Sequence, residues 1–322
     1  MSSDVFFIGL REKYRNNMHD KINKLLDKLN LENMIERGDI VAIKTHFGEL
    51  GNTGFLRPTY FPPLVERIKK KGGHPFVSDA NTLYNGSRNN GIKHIDCALK
   101  NGFSYASLGA PVVIADGMNG STDTSLEIKD GKYANEAYIG KEFDNANSII
   151  VFTHFKGHEL FGLGGSIKNV GMGMASKRGK LFLHSGVNPH IIEEKCKGCK
   201  RCISFCNHMA IEYDNNKKKA FINDNCVGCG GCLIACEYGA LRIEWDSNAE
   251  ACQNKTAEYT KAVLDRKKDK MLYINFIMDV TPLCDCVPWS DTPIVSDVGI
   301  LASKDIVAID KASYDLVNQQ EG

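Results

Sequence analysis

The chain has 322 residues, 43% of them hydrophobic and 25% charged, which excludes a disordered or fibrous protein and leaves room for about two domains. Its 40 Lys and Arg against 39 Asp and Glu leave a net charge of +1, so no global field draws it to nucleic acid or to an anionic membrane. No apolar run approaches the ~18 residues of a membrane span. Met1 to Arg15 also lack the basic-then-apolar pattern of a secretory signal, and a cytoplasmic location is expected.

In chain order, Asp39 to Thr45 reads as a buried strand, and Pro62 to Lys71 as a helix with Leu64, Val65 and Ile68 on one side and Gly72-Gly73 as its stop. Strands follow at His74 to Asp79, Pro111 to Asp116 and Ser148 to Phe152. Strands alternating with helices predict βαβ units and a mainly parallel sheet covered on both faces. Val41 to Phe47 and Ile149 to Phe155 both run an apolar strand into Thr-His-Phe, which sets His46 and His154 just past strand ends. In open α/β sheets ligands collect at that carboxyl edge.

Residues 191–245 have a different texture, rich in Cys and Gly with little periodicity. After them Ala249 to Lys270 reads as an amphipathic helix with Cys252, Tyr259 and Val263 on one stripe. Met271 to Val280 reads as a strand, and Ile306 to Val317 as a strand-to-helix stretch. The arrangement predicts a discontinuous α/β host domain, residues 1–190 and 246–322, interrupted by a small module at residues 191–245. Such insertion is tolerated where entry and exit lie close together at the surface.

Eight of the twelve cysteines fall in that segment. Cys196-x2-Cys199-x2-Cys202-x3-Cys206 is repeated 30 residues later as Cys226-x2-Cys229-x2-Cys232-x3-Cys236. The spacing lets three thiolates of a tight loop reach one iron–sulfur cubane while the fourth, on the following turn, serves the other cluster. Cys196, Cys199, Cys202 and Cys236 are therefore assigned to one [4Fe–4S] cluster, and Cys226, Cys229, Cys232 and Cys206 to a second. Zinc sites space their Cys-x2-Cys pairs further apart. The segment resembles the bacterial two-cluster ferredoxin domain, a small α+β module. It departs from that pattern where Asn207 and Glu237 replace the usual proline after each fourth cysteine.

The host offers a second set of candidates. His46, Asp79, His154, His158 and His184 are acid–base groups or ligands near expected strand ends. Gly164-Gly165-Ser166 leading into Lys168 and Asn169 has the look of a glycine-rich loop opening a helix, which suits a phosphate or carboxylate and makes Lys168 a catalytic or cofactor-binding cation. Cys284 and Cys286 offer an extra metal site or a redox pair, while Cys97 and Cys252 sit in helical stripes and read as core.

Lys44-Thr-His-Phe-Gly-Glu49, Ser78-Asp79-Ala80, Thr153-His-Phe-Lys-Gly-His158, Gly164-Gly-Ser-Ile-Lys-Asn169, Cys284-Asp-Cys286 and Gly299-Ile-Leu-Ala-Ser303 through Asp310 resemble the family of domain of unknown function 362. Its members are often called only iron–sulfur-centre proteins, and the resemblance implies the same interruption of the host by a ferredoxin segment. The function expected is an iron–sulfur oxidoreductase of anaerobic metabolism. Two clusters would exchange electrons with an external ferredoxin or flavoprotein and with a substrate, flavin or further metal ion in the host pocket. Two alternatives stand beside it: a non-enzymatic electron carrier or adaptor of a larger redox complex, and a metal-dependent non-redox enzyme with structural or sensing clusters.

Overall fold

The computed structural model describes residues 3–84, 86–184, 189–206, 209–226, 232, 235–242 and 249–321. Its strands are β1 (Val5–Gly9), β2 (Ile40–Lys44), β3 (His74–Asp79), β4 (Val112–Ile114), β5 (Asp123–Glu127), β6 (Glu136–Gly140), β7 (Ser148–His154), β8 (Lys156–His158), β9 (Gly162–Gly164), β10 (His190–Ile191), β11 (Ile211–Asp214), β12 (Lys219–Ile222), β13 (Leu241–Arg242), β14 (Met271–Ile277) and β15 (Gly299–Ser303). The α-helices are α1 (Met18–Leu29), α2 (Pro62–Lys70), α3 (Gly91–Lys100), α4 (Tyr105–Leu108), α5 (Lys141–Asn145), α6 (Ser166–Gly171), α7 (Lys177–His184), α8 (Arg201–Ser204), α9 (Ala249–Lys267) and α10 (Ile306–Asn318).

Seven strands form one mixed sheet in the order β1-β15-β14-β7-β2-β3-β4. The five from β14 to β4 run parallel, and β15 runs antiparallel to both β14 and β1. The sheet is thus mainly parallel, and apolar residues alternate between its faces as the period of two requires. On β7, Ile150 and Phe152 join one core with Leu25 and Leu26 of α1 and Leu64 of α2. Ile149 and Val151 join the other with Val170 of α6, Tyr259 and Val263 of α9, and Ile309 of α10. Each such side chain, fully buried, contributes about 1.5–3 kcal/mol.

Helix ends follow local chemistry. α1 starts with a capping box between Asn17 and Asp20 and ends at Asn30 in the left-handed region. Ile306 to Val317 is helical throughout rather than strand-to-helix, because the Asp305 side chain accepts from the Val307 and Ala308 N–H groups and starts α10 there. The preceding strand is β15.

β2 and β7 are direct parallel neighbours, with Lys44 opposite Val151. The Thr-His-Phe echo would set Lys44 against Phe152, so repeat and sheet register differ by one residue. Chain order reverses at this pair: β3 and β4 continue on the β2 side, β14 on the β7 side. It is the switch point of the sheet, where a crevice opens beyond the carboxyl ends of the strands.

Among the described residues no helix is long and apolar enough to cross a membrane.

Candidate functional site

A cavity of about 500 Å³ occupies that carboxyl edge. It draws His46 from beyond β2, Asp79 from the end of β3, His154 from the end of β7, His158 from β8, Lys168 and Asn169 from α6, His184 from the end of α7, and Cys284 and Cys286 from the loop after β14. Gly164 and Gly165 also line it, while Ser166 does not.

The floor is a buried ion network. Lys44 Nζ lies 3.0 Å from Asp79, and Arg88 lies 3.2 Å from Glu49 and 3.6 Å from Asp79. Burial alone would raise the Asp79 carboxyl, but Lys44, His46, His94 and Arg88 outweigh it and hold the group well below the usual carboxylate range. Burial, with Arg88 adding to it, pushes His46 well below its ordinary value, and burial brings His94 down to about 3. His154 is spent within the protein: Nδ1 meets both Asp285 oxygens at 2.9 and 3.0 Å, and Nε2 meets the carbonyls of Met278 and Asp279. Lys156 closes on the same Asp285 at 2.7 Å. His46 is engaged as well, its Nδ1 accepting the Gly48 N–H and its Nε2 meeting Arg88, each at 3.0 Å, so His46 and His154 shape the wall and offer it little ligand capacity.

His158, Cys284 and Cys286 are different. Their ligand atoms lie within 4.8 Å of one another. The Gly157 backbone packs so closely on Pro282 that an added Cβ would sit 2.3 Å from the Pro282 carbonyl oxygen, and this contact carries His158 to the cysteine loop. His158 Nδ1 accepts the Leu160 N–H at 3.0 Å, which leaves Nε2 for the sulfurs. The hydrogen bond from Cys286 lowers the Cys284 thiol well below its ordinary value against the opposing effect of burial, with Lys168, His158 and Lys156 adding to it. The same bond raises Cys286. Lys168 Nζ lies 3.6 Å from the Cys284 sulfur and favours its ionised form.

The glycine-rich loop does open a helix, yet its N–H groups are already taken. Ser166 and Ile167 both donate to the Asp310 carboxylate at 2.8 Å, and Asn275 donates to it as well. A Cβ on Gly165 would lie 2.5 Å from that carboxylate, so glycine there serves Asp310 rather than an outside phosphate. Ser166 Oγ is turned to Asn275 and Thr153 in the interior.

In the cysteine-rich segment two small sheets form, β10 with β13 and β11 with β12. The 30-residue repeat reappears in its hydrogen bonds. Cys196 N–H donates to Glu193 and Cys226 N–H to Asn223, both at 3.2 Å. The Cys206 sulfur accepts the Ala210 N–H and the Cys236 sulfur accepts the Ala240 N–H, again at 3.2 Å each. Cys196, Cys199, Cys202 and Cys236 wall one small cavity. Burial, then Cys199, Cys196 and Cys236, raise the Cys202 thiol. Four sulfur donors around one space, with the Cys202 thiolate disfavoured by its neighbours, fit a cationic centre, which removes that penalty. Gly198, at φ +65, allows the loop to close on the Lys218 carbonyl, where a Cβ would come within 2.4 Å. Of the second set Cys206, Cys226 and Cys232 are described, and Cys229 lies outside the described residues.

The sequence reading passed over Lys44, Arg88, Lys156, Lys180 and Asp285. Asp285 stands between two flagged cysteines and Lys156 between two flagged histidines, so position alone was a signal for those. Arg88 and Lys180 carry no local signature.

The fold and site define a mixed α/β protein with its pocket at the switch point of a mainly parallel sheet. The chain belongs to the family described as domain of unknown function (DUF362), whose model matches residues 41–315. The structure is also similar to the lactate racemase apoprotein from Thermoanaerobacterium thermosaccharolyticum, with a TM-score of 0.50 and 13% identity. That match covers 92% of this chain and 54% of the racemase, so the chain spans about half the length of that protein and shares its fold. No curated protein matches the sequence.

Proposed function

We propose that the chain is an iron–sulfur oxidoreductase in which residues 191–245 form a two-cluster module and residues 1–190 with 246–322 form the body that holds the reacting molecule. Cys196, Cys199, Cys202 and Cys236 would hold one [4Fe–4S] cluster, and Cys226, Cys229, Cys232 and Cys206 the other. The observation that carries this reading is that three sulfurs of the first motif share a cavity with the last sulfur of the second. That crossing is what the x2-x2-x3 spacing demands. When bound, such clusters supply one-electron transfer. The sheet-edge pocket supports the other half of the reading, with a cysteine pair, a lysine and an imidazole around one space for a substrate, a flavin or a metal ion. Electrons would pass to or from an external ferredoxin or flavoprotein.

The test is purification without oxygen, a count of iron and acid-labile sulfide, then reduction and a screen for compounds that reoxidise the protein. About eight iron per chain and broad visible absorbance are expected. Zinc in place of iron overturns the reading.

A second reading, a metal-dependent non-redox enzyme, draws on His158, Cys284 and Cys286. One nitrogen and two sulfurs beside an open cavity are the donor set of a catalytic rather than a structural metal site. Cys199→Ser with Cys229→Ser separates the two: activity surviving in a folded, cluster-free protein favours the second.

A further inference from the structure

We infer that the sheet-edge pocket takes a small organic anion, its carboxylate or phosphate group seated between Lys168 and Lys180 beside the Cys284 sulfur. This deepens the proposed function and rests on its placing of the reacting molecule in that pocket. The argument is one of charge pairing. Four cationic side chains, Arg88, Lys156, Lys168 and Lys180, line the cavity. Arg88 is matched by Glu49 and Asp79, and Lys156 by Asp285. Glu159, the remaining acid on the wall, is exposed.

Lys168 and Lys180 have no carboxylate within 4.0 Å among the described residues. Lys168 faces Cys284, and Lys180, 8% exposed, donates to the carbonyl of Ala175, with Asp116 and Asp79 acting on it from beyond ion-pair distance. A buried ammonium that meets one carbonyl retains most of its desolvation cost, and an anionic guest would relieve it. Burial brings Lys180 down to about 8, so it still carries its charge at neutral pH. The α6 terminus offers no competing seat, because Asp310 fills it. A cavity of about 500 Å³ admits a molecule of metabolite size.

The experiment compares two alkylating probes on the anaerobically prepared protein, anionic iodoacetate and neutral iodoacetamide, with modification at Cys284 quantified by peptide mapping. The iodoacetate-to-iodoacetamide rate ratio at Cys284 is expected to exceed that of glutathione by about tenfold or more, since a local positive field concentrates anions. Lys168→Met and Lys180→Met should each lower the ratio several-fold, while Lys311→Met on the exposed face of α10 leaves it unchanged. A ratio equal to that of glutathione, or one indifferent to Lys180→Met, overturns the inference.

If Cys284 takes neither probe, the rise in Tm with oxalate or inorganic phosphate decides instead. A rise lost in Lys180→Met supports the seat, no rise sinks it, and the stronger of the two anions tells carboxylate from phosphate. Iron counted on the same sample keeps the two readings apart. Full cluster content without anion preference defeats this inference alone, whereas anion preference without iron defeats the iron–sulfur reading alone.

Discussion

Around the Cys196 cavity the sulfurs come from one stretch of chain, and the core beneath them among the described residues is six small or medium side chains: Cys196, Ile211, Ala220, Cys232, Ala240 and Leu241. Around the Cys284 pocket the groups come from five separate parts of the chain, each fixed by a strand or helix anchored in one of two large cores. Their difference is one of what holds the site. The pocket is held by the fold and should keep its shape empty. The cysteine segment buries little apolar surface, so the centre proposed for it would contribute to its folding.

The sharpest way to break that comparison is Cys196→Ala with Cys236→Ala. About half of the iron should be lost, and residues 190–242 should become sensitive to protease while the remainder resists, as read by metal analysis and limited proteolysis. Equal loss of order throughout the chain would show that the two regions are not independent.

Next in size is Asp310→Ala, which strands the N–H groups of Ser166 and Ile167 and leaves the Asn275 amide with Ser313 as its remaining acceptor. A loss of about 3 kcal/mol is expected by denaturant unfolding, with iron content unchanged. Lys180→Met should act in the opposite direction. Its folded-state value of about 8 lies below the ordinary 10.5, so between those values the unfolded chain binds more protons and stability climbs with pH. Removing the charge should abolish that climb and stabilise the fold at pH 7 by at most about 3 kcal/mol, read as a higher Tm. Gly165→Ala is the mildest. The new methyl group crowds the Asp310 carboxylate, and a cost of about 1–3 kcal/mol should appear in thermal melts.

Legibility in the sequence followed the same divide. The cysteine repeat was plain because it is written in local spacing. β3 could be read residue for residue, and α2 to within one, because apolar pattern, proline and glycine agree there. β1 and α1 were passed over. The first is an edge strand with Phe7 half exposed, which blurs its alternation, and the second carried a readable Asn17–Asp20 capping box. Arg88 and Lys180 were invisible for a deeper reason: nothing near them in the chain marks them, and only the fold brings the loop before α3 to Glu49 and Asp79 and turns α7 to the cavity. The glycine loop misled because its partner, Asp310, lies 144 residues away from Ser166.

One small contact carries a consequence for how such a chain is built. His190 lies opposite Arg242 and Ile191 opposite Leu241, so the polypeptide leaves for the cysteine-rich excursion and returns from it as neighbouring strands. A clasp of that kind lets the excursion be removed, exchanged or lengthened with a few linking residues, and the sheet beyond it need not register the change. On the function proposed above, electron-handling parts could thus be swapped against a constant chamber, as one changes the plug on an appliance.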